Sequence, residues 1–155
     1  MQINIGMKDT ERKAVADKLS RLLADSYTLY LKTHNYHWNV TGRMFQTLHT
    51  LFETQYTELA TAVDGIAERI RALGVRAPGS YKEFAELATV KDAEGTPKAD
   101  AMIQELAADH EMVSRTAMEV FREAGKYDDE ATISLVTARL EVHQKATWML
   151  RAHLE

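Results

Sequence analysis

The sequence predicts an all-α protein, a bundle of four long helices, on three observations. Strong helix formers dominate the chain, and its 155 residues include only two Pro and seven Gly. Apolar residues recur at helical spacing from about Asp9 onward, with no strand-like alternation. Hydrophobic residues make up 45% and charged residues 27%, which is typical of a folded protein and excludes a mainly disordered chain.

Length and composition limit both organisation and chemistry. We expect a single domain over residues 1–155, with a tail of about eight residues before the first helix. Cysteine is absent, so any metal must bind through His, Asp or Glu. The N-terminus lacks a basic region followed by an apolar run, and no stretch approaches about 18 apolar residues. We therefore expect a cytoplasmic protein with no membrane partner.

The first two helices are bounded by glycine signals. The first is predicted from about Asp9 to residues 37–40, where a turn-like cluster ends in Gly42. The second is predicted from about Phe45 to Leu73 and stops at Gly74. The two helices are thus separated by a short turn-like segment.

A long connection separates the second helix from the third. Residues 75–98 are enough to cross the length of a bundle, and a Ser80-x-x-Glu83 capping box predicts a short helix within them. Thr96-Pro97 is expected to begin the third long helix, which ends at Gly125. An acidic cluster, Asp128-Asp129-Glu130, begins the fourth. Four long helices with one long crossover favour a ferritin-like bundle.

One stripe of the second helix carries an unusual set of side chains. With His49 at zero on a helical wheel, Glu53, Asp64 and Glu68 fall at about 40°, 60° and 100°. A buried stripe of this kind must be paired or bind a metal. The alternative is a solvated face on which polar residues lie four apart by chance.

Distance along the helix decides what site these residues can form. His49 and Asp64 are roughly 22 Å apart along the axis, and Glu53 and Asp64 roughly 16 Å, so one chain cannot bring them to a single ion. A second, antiparallel copy of the helix would pair Glu53 with Asp64 and His49 with Glu68 about one twofold axis, near about position 58.5 in both cases. A symmetric dimer would then hold two identical metal sites.

A third element of the site comes from the first helix. His37, near the end of that helix, could reach the same site as a further imidazole. Imidazole with carboxylates suits Fe(II) and also Zn(II) or Mn(II). Ligand type alone therefore does not choose the metal.

These residues lie in a longer pattern that resembles the Dps family, the miniferritins that protect bacterial DNA during starvation. The similarity runs from about Leu19 to Glu155. Its most specific parts are His34-Asn35-Tyr36-His37-Trp38-Asn39-Val40-Thr41-Gly42, Phe45, Leu48-His49, Phe52-Glu53, Asp64-Gly65-Ile66-Ala67-Glu68-Arg69-Ile70 and His143-Gln144-Lys145-Ala146-Thr147-Trp148-Met149-Leu150-Arg151.

The resemblance implies a hollow dodecamer built from twofold dimers, with a di-iron ferroxidase centre at each dimer interface. Iron(II) would be oxidised there, preferentially by hydrogen peroxide, and stored as ferric mineral. The family's ligands correspond to His37, His49, Asp64 and Glu68. Glu53 stands where many relatives have Asp, and it is expected to serve the second iron position. Zinc is expected as a competing occupant.

Two further features have alternative interpretations. Trp38 resembles the family's tryptophan beside the iron centre, where it would intercept stray oxidising equivalents, or it is an aromatic that seals the dimer interface. Asp128 or Asp129 lines an iron-attracting pore, as the resemblance implies, or the cluster only caps the fourth helix.

The other histidines are assigned less specific roles. His34 lies three residues before His37 on a nearby face of the same helix. It either supports the metal ligands or forms an accessory metal site, or it is an interface histidine whose hydrogen bonds are satisfied. No partner at ligand spacing accompanies the remaining three, which are expected to be structural. They are His110, His143 and His153.

DNA binding is the competing function. In that alternative the protein is a nucleoid-associated structural protein and ferroxidase activity is secondary. The net charge of −4 opposes it, as does an N-terminal stretch with five basic and three acidic residues in positions 1–21. We therefore expect DNA binding to be weak. A third interpretation is a helical oligomerisation module whose histidines and acids form only interface hydrogen bonds; it predicts no stoichiometric iron binding.

Overall fold

The computed structural model describes residues 3–155 and contains five helices in that range. Four long helices form the bundle, and one short helix lies in the crossover between the second and third of them. The predicted all-α fold with an extra short helix is therefore confirmed. None of these helices combines the length and the apolarity that crossing a bilayer requires. The helices are α1 (Asp9–Asn39), α2 (Phe45–Ala72), α3 (Tyr81–Leu87), α4 (Ala99–Gly125) and α5 (Glu130–Arg151).

Contacts at both ends show that α1 and α2 are antiparallel. The Arg12 side chain near the start of α1 donates to the Leu73 carbonyl at the end of α2. At the opposite end, His37 of α1 contacts His49 of α2. The short turn between the two helices places these histidines side by side.

The second helix pair packs against the first with α4 antiparallel to α1. Tyr36 bonds to Glu105, and Lys32 lies 2.9 Å from Asp109. A turn joins α4 directly to α5, so α5 runs antiparallel to α4 and parallel to α1. The core between the four helices is mostly apolar, and its large side chains with under 2% exposure include Leu19, Leu29, Phe52, Ile66, Ile70 and Ile103.

A buried aspartate fastens the crossover to the bundle. Asp25 Oδ1 accepts hydrogen bonds from the backbone N–H groups of Thr89 (2.5 Å) and Val90 (2.9 Å). Asp25 Oδ2 accepts from the Thr116 hydroxyl of α4 at 2.7 Å. One side chain therefore ties α1, α4 and the crossover together.

The predicted glycine stops of the first two helices have the expected left-handed backbone. Gly42 and Gly74 have φ of 107° and 86°. At Gly74 an added Cβ would lie 2.5 Å from Ile3 Cδ1, because the N-terminal segment packs against the end of α2. Both the backbone conformation and the close approach of Ile3 favour glycine at this position.

The N-termini of α3 and α4 differ from those that the sequence predicts. Ser80 Oγ accepts from Glu83 N–H as in a capping box, but the Glu83 carboxylate binds Gly79 N–H and Arg76 instead of Ser80 N–H. The guanidinium is a charged donor and so a stronger partner. The prediction that Thr96-Pro97 begins the third long helix is wrong. This helix, α4, begins at Ala99, and no side chain caps its N-terminus.

Candidate metal centre

Two histidines on neighbouring helices are joined by a pair of hydrogen bonds, each from a ring nitrogen to the backbone carbonyl of the other residue. His37 Nδ1 lies 2.7 Å from the His49 carbonyl oxygen, and His49 Nδ1 lies 2.8 Å from the His37 carbonyl oxygen. Their rings stack with centroids 3.8 Å apart at an angle of 18°. The two hydrogen bonds therefore link the end of α1 to the first turns of α2.

The reciprocal bonds determine the tautomer of both rings. A carbonyl oxygen can only accept, so each Nδ1 must carry the proton and donate it. In a neutral ring this leaves the lone pair on Nε2, and neither Nε2 makes a hydrogen bond within the described part of the chain. An imidazole whose Nδ1–H is held by a carbonyl is oriented to bind a metal through Nε2.

Aromatic side chains fix the two rings from the sides. Phe45, the first residue of α2, stacks on His49 with centroids 5.1 Å apart. The Tyr56 ring meets His37 edge-on at 5.1 Å and 73°. These contacts leave the histidine pair little freedom to rotate.

Tyr56 also organises a third histidine. The His34 ring lies between Tyr56 and Trp38, with centroid distances of 4.1 and 3.9 Å. Desolvation, with a smaller contribution from His37, lowers the pKa of His34. Tyr56 was not identified from the sequence, although its position two helical turns after His49 places it on nearly the same face of α2. Trp38 itself is 59% exposed.

The predicted carboxylates lie on an exposed face of α2. Glu53, Asp64 and Glu68 are all exposed, and none of them forms an ion pair or a side-chain hydrogen bond to any residue in 3–155. Glu58 of the same helix is different, because Arg139 binds its carboxylate with both terminal nitrogens. Three unpaired acids thus share one open helix face.

A single chain does not assemble these groups into one cluster. Within residues 3–155, no three His, Cys, Asp or Glu side chains come together in a way that could hold a metal ion. The structure brings His37 and His49 together and leaves Asp64 and Glu68 further along α2. This arrangement agrees with the axial distances expected for the helix.

The two aspartates before α5 have different surroundings. Asp129 is 5% exposed; it caps α5 by accepting from Thr132 N–H, and it binds Arg69 at 2.7 Å. Burial alone would raise the pKa of Asp129, but the bonds from Thr132 and Arg69 outweigh it and lower that pKa. Asp128 is exposed and has a φ of 53°. Of the two, only the Asp128 carboxylate is open to solvent in the single chain.

Comparisons with known proteins give matches over almost the whole chain. A family model described as a ferritin-like domain matches residues 16–155. A low temperature-induced protein of Nostoc sp. is 41% identical over 99% of this chain and 87% of its own length. The DNA protection during starvation protein 2 of Bacillus anthracis is 38% identical over 92% of this chain and 97% of its own length.

Solved structures agree with the sequence matches. The crystal structure of a Dps protein from Vibrio cholerae O1 has a TM-score of 0.94 at 31% identity, covering 100% of this chain and 98% of that one. The Dps protein of Bacillus brevis has a TM-score of 0.92 at 36% identity, covering 96% of this chain and 100% of that one. Fold, sequence identity and coverage agree, and the chain belongs to the Dps family of ferritin-like proteins.

Proposed function

We propose that the protein is a ferroxidase and iron store that oxidises Fe(II), preferentially with hydrogen peroxide, at centres shared between two subunits. The ferric product would be kept as mineral inside a hollow dodecamer built from twofold dimers. Removing iron and peroxide together would protect DNA from oxidative damage.

The observation that carries this proposal is the reciprocal bonding of His37 and His49. It orders both rings without a metal and leaves each Nε2, the nitrogen that would bind iron, without a hydrogen bond among residues 3–155. The open α2 face supplies carboxylates with no partner among residues 3–155 of their own chain. A twofold axis near about position 58.5 of α2 would bring Asp64 and Glu68 of a second copy to this histidine pair.

The composite site explains how peroxide could be reduced safely. Two Fe(II) ions bound together each give one electron to one hydrogen peroxide molecule. The O–O bond then breaks, and the two oxygens leave as water after taking up two protons. The carboxylates favour the ferric products because they are hard, anionic ligands. Glu53, one turn after His49, is suited to hold the second iron, and Zn(II) would compete for the same donors.

The relatives agree with this chemistry. The Vibrio cholerae protein is described as a member of a superfamily of ferritin-like diiron-carboxylate proteins. The Bacillus anthracis protein is named for DNA protection during starvation. We extend both properties to this chain on the residues that the site supplies. Asp128 is a better candidate than Asp129 for drawing Fe(II) through a pore, because its carboxylate is exposed.

Charge pairing near the N-terminus favours iron handling over DNA binding. All five basic residues of positions 3–21 lie within 4.0 Å of a carboxylate. Phosphate contacts require cations that can release counterions, and paired cations contribute less to that release. The pairs are Lys8–Glu11, Arg12–Asp9, Lys13–Asp17, Lys18–Glu119 and Arg21–Glu119.

The test is anaerobic loading of metal-free protein with Fe(II), then one pulse of peroxide while ferric absorbance is recorded. We expect fast oxidation with the iron kept in solution. The double variant His49→Ala/Asp64→Ala should be slow, whereas the matched variant His153→Ala/Asp92→Ala should behave as wild type. Equal rates in wild type and His49→Ala/Asp64→Ala would reject the site and favour the oligomerisation module. Retention of duplex DNA at moderate salt would support the DNA-binding alternative.

A further inference from the structure

A group of five polar side chains joins three helices inside the bundle, outside the candidate metal centre. They come from three helices, and four of them are buried while the fifth, Glu58, reaches the surface. We refer to them as the polar layer. Its members are Gln55 and Glu58 of α2, His110 of α4, and Arg139 and His143 of α5.

Hydrogen bonds within the polar layer run in one direction. Arg139 is bound to Glu58 and also donates from Nη2 to His143 Nε2 at 3.1 Å. Since Nε2 of His143 accepts, its proton is on Nδ1, which donates to His110 Nδ1 at 2.9 Å. His110 must then carry its own proton on Nε2. A single charged group therefore sets the tautomers of both histidines.

Both rings are neutral in the folded protein. Desolvation and the charge of Arg139 lower the pKa of His110 to about 3. Desolvation, His110 and Arg139 lower the pKa of His143 well below its usual value. The direction of the chain therefore holds at neutral pH.

The chain ends in a donor that has no acceptor. His110 Nε2 makes no hydrogen bond to any residue in 3–155, and its residue is 2% exposed. Gln55, which is 8% exposed, has no partner for either its amide oxygen or its amide nitrogen within the same range. Arg139 Nε is also unpartnered there.

Helix directions place the residues that carry these unpaired atoms at one level of the bundle. Because α5 is antiparallel to α2, one turn back along α2 from Glu58 corresponds to one turn forward along α5 from Arg139. The first step leads to Gln55 and the second to His143, which bonds to His110. Both Gln55 and His110 are buried, so each faces the interior at this level.

Leaving such groups unpaired would be costly, because each would lose its hydrogen bonds to solvent without replacing them. An amide carries both a donor and an acceptor, so it bears this cost twice. Proteins meet such a cost with buried water, which makes two to four hydrogen bonds where the site is polar. The chemistry of the layer matches that need: His110 offers a donor, and Gln55 offers a donor and an acceptor, none of which is satisfied by a residue in 3–155.

We propose that the polar layer is a binding site for ordered water, which accepts from His110 Nε2–H and bonds to the Gln55 amide. The hydrogen-bond chain then runs from Glu58 at the surface, through Arg139 and both histidines, to Gln55. Both end residues of this chain, Glu58 and Gln55, belong to α2. The water thus ties α2, which carries His49 and the three exposed acids, to the α4–α5 pair.

Crystal structures of the assembled protein at about 1.5 Å resolution test this directly, since buried water is ordered and costly to remove. We expect a density peak within hydrogen-bond distance of both His110 Nε2 and the Gln55 amide. The variant Gln55→Leu should lose that peak and keep the Arg139–His143–His110 chain. The matched variant Gln46→Leu, at an exposed position of the same helix, should keep both.

A direct bond between Gln55 and His110, or no peak where other buried waters are visible, would overturn the proposal. So would a peak that Gln55→Leu leaves unchanged. If Gln55→Leu does not fold, the wild-type map alone still decides between these outcomes. Failure here would leave the ferroxidase proposal intact, because that proposal depends on different residues.

Discussion

His37 and His49 each donate an Nδ1–H to the backbone carbonyl of the other, across the turn that joins α1 to α2. The two side chains therefore order the turn, and the turn orders the two side chains. Half of the proposed iron site is built within one subunit before any partner binds. The other half consists of exposed acids on α2, which would bind iron only together with the histidines of a second subunit.

Removing one imidazole should impair both binding and turnover. We expect His49→Ala to slow peroxide-dependent Fe(II) oxidation by at least about tenfold, because it removes a ligand together with the ring that stacks on His37 and holds its carbonyl. Stopped-flow ferric absorbance measures the rate. His153→Ala serves as the control and should keep the wild-type rate, and a wild-type rate in His49→Ala would exclude His49 as a ligand.

Glu53 should affect the number of ions bound more than the first binding event. We expect Glu53→Ala to bind about one Fe(II) per site, where the wild type binds about two, because the first ion keeps the histidines and the partner carboxylates. Anaerobic titration calorimetry gives the stoichiometry. The matched control is Thr54→Ala, at the exposed neighbouring position of α2, because Glu58 is bound by Arg139 and is unsuitable. Unchanged stoichiometry in Glu53→Ala would remove Glu53 from the site.

The aspartate that caps α5 should matter for stability, and its neighbour should not. Asp129→Ala removes the cap on Thr132 N–H and leaves the Arg69 guanidinium without its partner, so we expect a loss of at least about 2 kcal/mol in the free energy of unfolding. Urea unfolding at fixed subunit concentration measures it. Asp128→Asn keeps a residue type that tolerates positive φ and should change stability little. Equal effects of the two substitutions would contradict the assigned cap.

Acid should destabilise the subunit through the buried histidine pair. The pKa of His110 is about 3 in the folded protein, whereas an unfolded histidine titrates near about 6.5. Below about pH 6.5 His110 binds a proton in the unfolded chain but stays neutral in the folded chain. The free energy of unfolding therefore decreases as the pH falls toward about 3. The slope for one histidine approaches about 1.4 kcal/mol per pH unit.

Thermal unfolding at about pH 7.5 and about pH 5.5 tests this slope. The groups that face the pair are Arg139 and, through it, Glu58. The variant His110→Leu/His143→Leu should show a smaller drop in Tm on acidification than the wild type, because it lacks the two groups that protonate on unfolding. An equal drop in both proteins would assign the acid sensitivity to other groups.

Local signals were enough to predict the helices and the histidine and acid stripe. Periodic apolar residues and the glycines at 42 and 74 define α1 and α2, because both signals act within a few residues. The start of α4 was missed, since Thr96-Pro97 is compatible with a cap and the helix instead begins at Ala99. Where a crossover enters a helix depends on how it reaches the bundle, and local residue types do not specify that path.

Partners far apart in the chain could not be predicted. The sequence predicts only structural roles for His110 and His143, because their mutual bond depends on the register between α4 and α5. The same holds for Asp129, whose partner Arg69 comes from α2. The reciprocal bonds between the two histidines of the α1–α2 turn also depend on backbone geometry, which residue types alone do not specify.

Mixing two slow variants, each defective in a different half of the site, tests the shared site most directly. Metal-free His49→Ala and Asp64→Ala subunits are co-assembled in equal amounts, and peroxide-dependent Fe(II) oxidation is measured against each variant alone. In every mixed dimer, one site combines the intact histidines of one chain with the intact acids of the other. The account predicts recovery to about a quarter of the wild-type rate, because half of the dimers are mixed and each has one intact site. No recovery in verified mixed dimers would contradict a centre built from two subunits.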